Sequence, residues 1–158
     1  MLIFLDIDGV MVPANSWRKP EFLEDGFPAF SKGAVAALNK IITASGADLV
    51  LITSHKAKYS IEEWENMFKR RSIQVNKITT LPNNNDYLNR KDELLKWFVA
   101  EEIKGNFIII DDDKSLNGLP DFFKRKLIQT SALVGLTDYL ADVALTIIEQ
   151  SKSGIASK

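Results

Sequence analysis

Two stretches of this 158-residue chain end an apolar run in carboxylates. The first is Leu2-Ile3-Phe4-Leu5-Asp6-Ile7-Asp8-Gly9, with acids at i and i+2 and a glycine that lets the chain turn away. The second is Phe107-Ile108-Ile109-Ile110-Asp111-Asp112-Asp113. Carboxylates gathered at one place repel, and each further one makes ionisation harder unless a cation intervenes. Oxygen donors without Cys or His select a hard ion, and Mg²⁺ is the natural choice. Between the two acidic stretches lie Thr53 and Ser54, at the end of the apolar run Leu49–Ile52, and the basic pair Arg90-Lys91. A Mg²⁺ site that also collects a hydroxyl and a cation has the parts that phosphoryl transfer needs.

Residues at separate points of a chain meet only if the elements carrying them end at one edge. The apolar runs predict strands at 2–6, 48–54, 106–111 and 126–130, with a weaker one over 72–80. Helices alternate with them. Ser31 and Gly46 read as the caps of a first helix, and Ser60 with Glu63 reads as the capping box of a second. The inner face of the second is expected at Ile61, Trp64, Met67 and Phe68, with Lys69-Arg70-Arg71 complementing its dipole. A third helix is expected over 90–104, with Leu94, Leu95, Phe98, Val99 and Ile103 inward. A last one starts at Thr137 or Asp138. Alternating strands and helices predict an α/β protein with a parallel sheet covered on both faces, and ligands bind at the carboxyl edge of such sheets.

Bulk properties bound the function class. A net charge of −1 gives no global field for polyanions or acidic membranes, so a nucleic-acid partner would need a local basic patch. There is no cysteine, which excludes disulfides, thiolate metal sites and thiol catalysis and suits the cytoplasm. No signal peptide is expected, and no apolar run approaches the ~18 residues of a membrane span. The chain has the length of one domain, expected over 1–150, with 151–158 a frayed tail. Residues 10–30, rich in proline and mixed in polarity, predict an irregular flap that leaves directly after Asp8 and hangs over the site.

Asp6-Ile7-Asp8-Gly9-Val10, the apolar strand ending in Thr53, the basic residue opening a helix, and Ile110-Asp111-Asp112 resemble, in order, the four motifs of the haloacid dehalogenase (HAD) superfamily. The acidic triplet 111–113 and Gly135-Leu136-Thr137 are similar to the small HAD domains associated with RNA-repair proteins. The resemblance implies a Rossmannoid three-layer α/β/α sandwich with about five parallel strands and no true cap domain. It implies a Mg²⁺-dependent phosphatase (a phosphoric monoester hydrolase) with Asp6 as nucleophile, forming an aspartyl-phosphate, and Asp8 as general acid and base. Thr53 would bind the phosphoryl group, with Ser54 the lesser choice. Arg90 or Lys91 would join nucleophile and phosphate. Asp6, Asp111, Asp112 and the main-chain carbonyl of Asp8 would hold Mg²⁺, and Asp113 would lie outside the ligand set.

The lack of a cap implies an open site and a large phosphorylated substrate, such as a nucleic-acid end or another macromolecule. Trp17, Arg18 and Lys19 offer an aromatic face beside two cations, which suits a base next to a phosphate. His55 follows the predicted second strand and is a further candidate substrate contact. Other readings are a phosphotransferase, a catalytically weak phosphate-binding or partner-binding module, and a phosphorylatable switch domain. The switch domain requires its acids before the Thr and a Lys last, which is not the order here.

Overall fold

The computed structural model describes residues 1–14, 20–103 and 105–152. Five strands form one parallel sheet in the order β3-β2-β1-β4-β5, with β1 at Leu2–Leu5, β2 at Asp48–Leu51, β3 at Ile78–Thr80, β4 at Phe107–Asp111 and β5 at Leu127–Gln129. The central pairings align Leu5 with both Leu51 and Ile110. Three strands therefore finish at one level, and the residues following them share one edge. Hydrogen bonds continue past the strand ends, from Ile52 N to Leu5 O and from Asp6 N to Ile110 O, both 3.0 Å.

Alternation along the strands sorts side chains into two cores. Ile3, Leu5, Leu49, Leu51, Ile108 and Ile110 face a layer of α1 (Lys32–Ser45), α2 (Ile61–Arg70) and α5 (Asp138–Lys152). Phe4, Val50 and Ile109 face α3 (Arg90–Glu101) and a 3₁₀ turn over Lys114–Gly118, with Phe123 of α4 (Asp121–Lys124) packed against them. Phe4 meets Phe98 edge-on at 5.2 Å, and Phe98 stacks on Phe123 at 4.6 Å. The result is the expected three-layer α/β/α sandwich. Among the described residues no cap domain interrupts it.

The caps fall where the sequence puts them. Ser31 Oγ accepts from Ala34 N, and Gly46 closes α1 at φ 66°. Ser60 and Glu63 form a reciprocal capping box, a motif whose serine contributes about 1 kcal/mol. Thr137 Oγ1 accepts from Leu140 N at the start of α5.

Five expectations need correction. The third strand is short, because residues 72–74 bond to a helix rather than to the sheet. Asn39 of α1 donates to Ser72 O and accepts from Gln74 N. Ile61, at the first position of α2, faces solvent. Val99 is exposed as well, because only Leu94 and Phe98 of α3 lie fully within the core. Helix α3 stops early, at Glu102 in a left-handed conformation, before Gly105 is reached. At the carboxyl end α5 continues through Lys152, and residues 153–158 of the expected tail lie outside the described residues.

The described residues of the expected flap contain turns and two isolated bridges, Asp8 with Val12 and Phe22 with Pro28. Its second half is fastened down by Arg71. That guanidinium pairs with both Asp25 oxygens, at 2.6 and 3.0 Å, and donates to the carbonyls of Phe27, Pro28 and Met67. It also lies over the rings of Phe27 and Phe30. Through Met67 O it caps α2, as expected, but most of its contacts serve the flap.

Candidate active site

Asp6 is the first residue after β1 and Asp111 is the last of β4, so the sheet register itself brings them together. One oxygen each from Asp6, Asp111 and Asp112 lies within 4.8 Å of the others. Asp6 and Asp111 are buried, while Asp112 is partly exposed. Three carboxylates with no nitrogen or sulfur among them form a donor set suited to Mg²⁺. Gly9 sits against this cluster at φ 81°, and a Cβ there would come within 2.2 Å of the Asp112 carboxylate. The glycine is needed for both its backbone conformation and the space it leaves.

Burial raises Asp6 to about 6, against the opposing pull of Arg90. Burial and then the Asp6 charge raise Asp111 to about 8. Arg90 bonds Asp111 at 2.6 Å, which favours the ionised form, yet desolvation and the neighbouring carboxylate outweigh it. A divalent cation would reverse this balance by letting both acids ionise.

Arg90 opens α3 behind its cap Asn89. Its Nη1 reaches Asp111 Oδ2 at 2.6 Å and Asp6 Oδ1 at 3.5 Å. Lys91, one step around the helix, points elsewhere. It lies 3.9 Å from Asp92 and packs along Gly118.

Asp8 turns away from the acidic cluster. Its side chain is 59% exposed, and Oδ2 lies 2.7 Å from His55 Nε2. The other ring nitrogen, Nδ1, is 3.1 Å from Lys58 Nζ. An ammonium only donates, so Nδ1 accepts and Nε2–H donates to Asp8. The His55 ring is also met edge-on by Phe27 at 5.6 Å, in the segment that Arg71 fastens. His55 thus holds a carboxylate.

Thr53 is fully buried, and its Oγ1 accepts from His55 N at 3.2 Å. Ser54 is exposed on the neighbouring wall. Asp113 caps the 3₁₀ turn by accepting from Ser115 N, outside the clustered donors. Trp17, Arg18 and Lys19 lie outside the described residues.

Several supporting residues carry no local sequence signal. Lys56 is buried and pairs with Glu93 at 2.8 Å, tying the loop after β2 to α3. Thr130 Oγ1 donates to Gly9 O at 2.7 Å, and Leu136 N donates to Val10 O at 2.8 Å. Gly135 allows that last approach, because a Cβ there would stand 2.5 Å from Val10 O. The loop after β1 is therefore clamped from the far end of the chain. Only Gly135-Leu136-Thr137, already notable for its resemblance, marked this region in advance.

A Rossmannoid sandwich with four motif positions at one sheet edge defines an HAD-like protein of the hydrolase or phosphotransferase type. The chain belongs to the family of HAD domains in Swiss Army Knife RNA repair proteins, whose model matches residues 2–141. No curated protein matches it. Among solved structures, a chain of the Pnkp1/Rnl/Hen1 RNA repair complex is similar over 72% of this chain, at 20% identity and a TM-score of 0.47. This chain spans 36% of that neighbour's length. A hypothetical protein from Xanthomonas campestris is similar over 99% of this chain and 87% of its own, at 16% identity and a TM-score of 0.47. No helix among the described residues is long and apolar enough to cross a membrane.

Proposed function

We propose that this protein is a Mg²⁺-dependent phosphatase that hydrolyses a phosphate monoester on a large substrate such as a nucleic-acid end. The observation that carries this reading is the division of the two acids of the first motif. Asp6 lies in the acidic cluster under Arg90, while Asp8 is held apart by His55.

The division suits a two-step displacement. An Asp6 oxygen attacks phosphorus, the ester P–O bond breaks, and the leaving oxygen takes a proton from Asp8. Water then attacks the aspartyl-phosphate, passing a proton back to Asp8. The acyl phosphate P–O bond breaks, which frees phosphate and restores Asp6. Arg90 neutralises phosphoryl charge beside the nucleophile, and Thr53 donates its hydroxyl proton to a phosphoryl oxygen. Asp6, Asp111, Asp112 and the Asp8 carbonyl would hold Mg²⁺, which when bound supplies charge neutralisation at the phosphoryl oxygens. The lack of a cap domain among the described residues supports a large substrate such as a polymer end.

The test is hydrolysis of an aryl phosphate with and without Mg²⁺, for the native protein and Asp6→Asn. Metal-dependent turnover that disappears in the variant is expected. Native protein without metal-dependent turnover, or equal turnover in the variant, overturns the mechanism.

A further inference from the structure

Next to the site, and sharing Arg90 with it, lies a groove of about 670 Å³ between the loop after β2 and the loop before α3. That volume lies in the range of small-ligand sites. Arg90, beside Asp6, stands at its inner end, and Tyr87 lies farther out on the loop before α3.

Tyr87 is 92% exposed, and its backbone is held in an unusual conformation. Its φ is 53°, in the left-handed region that costs a residue with a side chain of order 1 kcal/mol. Asn84 fixes it there. The Asn84 amide donates to Leu88 O at 2.7 Å and accepts from Leu88 N at 2.9 Å, while Tyr87 N donates to Asn84 O at 3.2 Å. The clamp keeps a large ring in solvent at the mouth of the site.

The groove's lining carries the charges of Arg90, Lys56, Glu93 and Asp113, and its other residues are uncharged. Lys56 is matched by Glu93 and Arg90 by Asp111. The side-chain amides of Asn83 and Asn85 are exposed and make no hydrogen bond among the described residues. An amide offers a donor and an acceptor side by side, which complements the edge of a nucleobase. A free aromatic face offers stacking. A wall of this kind, ending at the Arg90 that also contacts Asp6 and Asp111, suits a planar, uncharged group attached to a phosphate.

We propose that this groove is a nucleoside subsite. The nucleotide bearing the scissile phosphate lays its base on Tyr87 and its base edge on Asn83 and Asn85, with its phosphate at Asp6 and Arg90. This rests on the phosphatase reading above for the direction in which the ligand lies, but its binding can be measured without turnover.

The experiment uses short fluorescent RNAs carrying a 3′- or a 5′-phosphate, titrated onto Asp6→Asn with and without Tyr87→Ala in the presence of Mg²⁺. Tyr87→Ala should weaken binding of at least one RNA by roughly tenfold, and Tyr87→Phe should restore it. In the protein with Asp6 intact, Tyr87→Ala should lower the ratio of kcat/KM for that RNA to kcat/KM for an aryl phosphate by a similar factor. Binding that depends on Tyr87 without any turnover would sink the phosphatase reading and leave the subsite standing. Failure of both RNAs to bind, or undiminished binding of both by Tyr87→Ala, would overturn the subsite.

Discussion

His55 Nε2 lies 2.7 Å from Asp8 Oδ2 and Lys58 Nζ lies 3.1 Å from His55 Nδ1, so a three-residue chain holds the exposed acid of the first motif. An acid so held matters most when the leaving group is poor. His55→Ala should therefore lower kcat on an alkyl phosphate by about tenfold, less than the 10²–10⁴ of a full general-acid contribution because Asp8 itself remains. A nitrophenyl phosphate, which leaves readily, should be much less affected. Comparing the two substrates checks this, and an equal loss on both would refute the positioning role.

Gly9→Ala should act on the metal site. A Cβ would press the Asp112 carboxylate at 2.2 Å, and φ 81° is unfavourable for alanine. The carboxylate is the freer partner and would have to shift. The expected result is a several-fold higher Mg²⁺ concentration for half-maximal activity, read from a Mg²⁺ titration.

Stability should depend on pH in a direction set by the buried acids. Asp6 and Asp111 rise from 3.8 to about 6 and about 8. The folded protein then binds more protons than the unfolded chain across that window, so metal-free stability falls as pH rises through it. Melting in a chelator should give a lower Tm near pH 8 than near pH 5, by on the order of several degrees. Mg²⁺ should raise Tm more at the higher pH, because its ligands must be ionised.

The two neighbours at the start of α3 should separate in function. Arg90→Ala removes the cation shared by Asp6 and Asp111 and should lower kcat by about 10²-fold or more, the scale of losing one charge-stabilising donor. Lys91→Ala should stay within a few fold, because Lys91 contacts Asp92 and Gly118 instead. Steady-state kinetics of both variants, with circular dichroism to confirm folding, decides it.

Arg71→Met should destabilise the fold. It leaves Asp25 without its bidentate partner and frees the carbonyls of Phe27 and Pro28. Removing one side of a buried pair costs about 3–5 kcal/mol. Arg70, 3.7 Å from Asp25, offsets part of this, so about 2 kcal/mol is expected from urea unfolding.

The sequence by itself determined four of the five strands, the caps of α1 and α2 and the residue types at the strand ends. Those are local properties: an apolar run, a Ser or Gly at a helix end, an acid after a strand. Because parallel strands share a direction, the order of motifs also implied that Asp6, Thr53 and Asp111 meet at one edge. Tertiary structure alone decided the rest. Arg90 and Lys91 are adjacent in sequence and equally basic, and only the rotation of α3 against the sheet aims one of them at Asp6. The glycine after Asp8 already marked a turn that could part its carboxylate from that of Asp6, but only the fold shows that His55 takes hold of it. Arg71 resembled any cation at a helix end until its partners, more than forty residues away, folded against it. Direction in space and long-range partners depend on packing, which local sequence patterns do not encode.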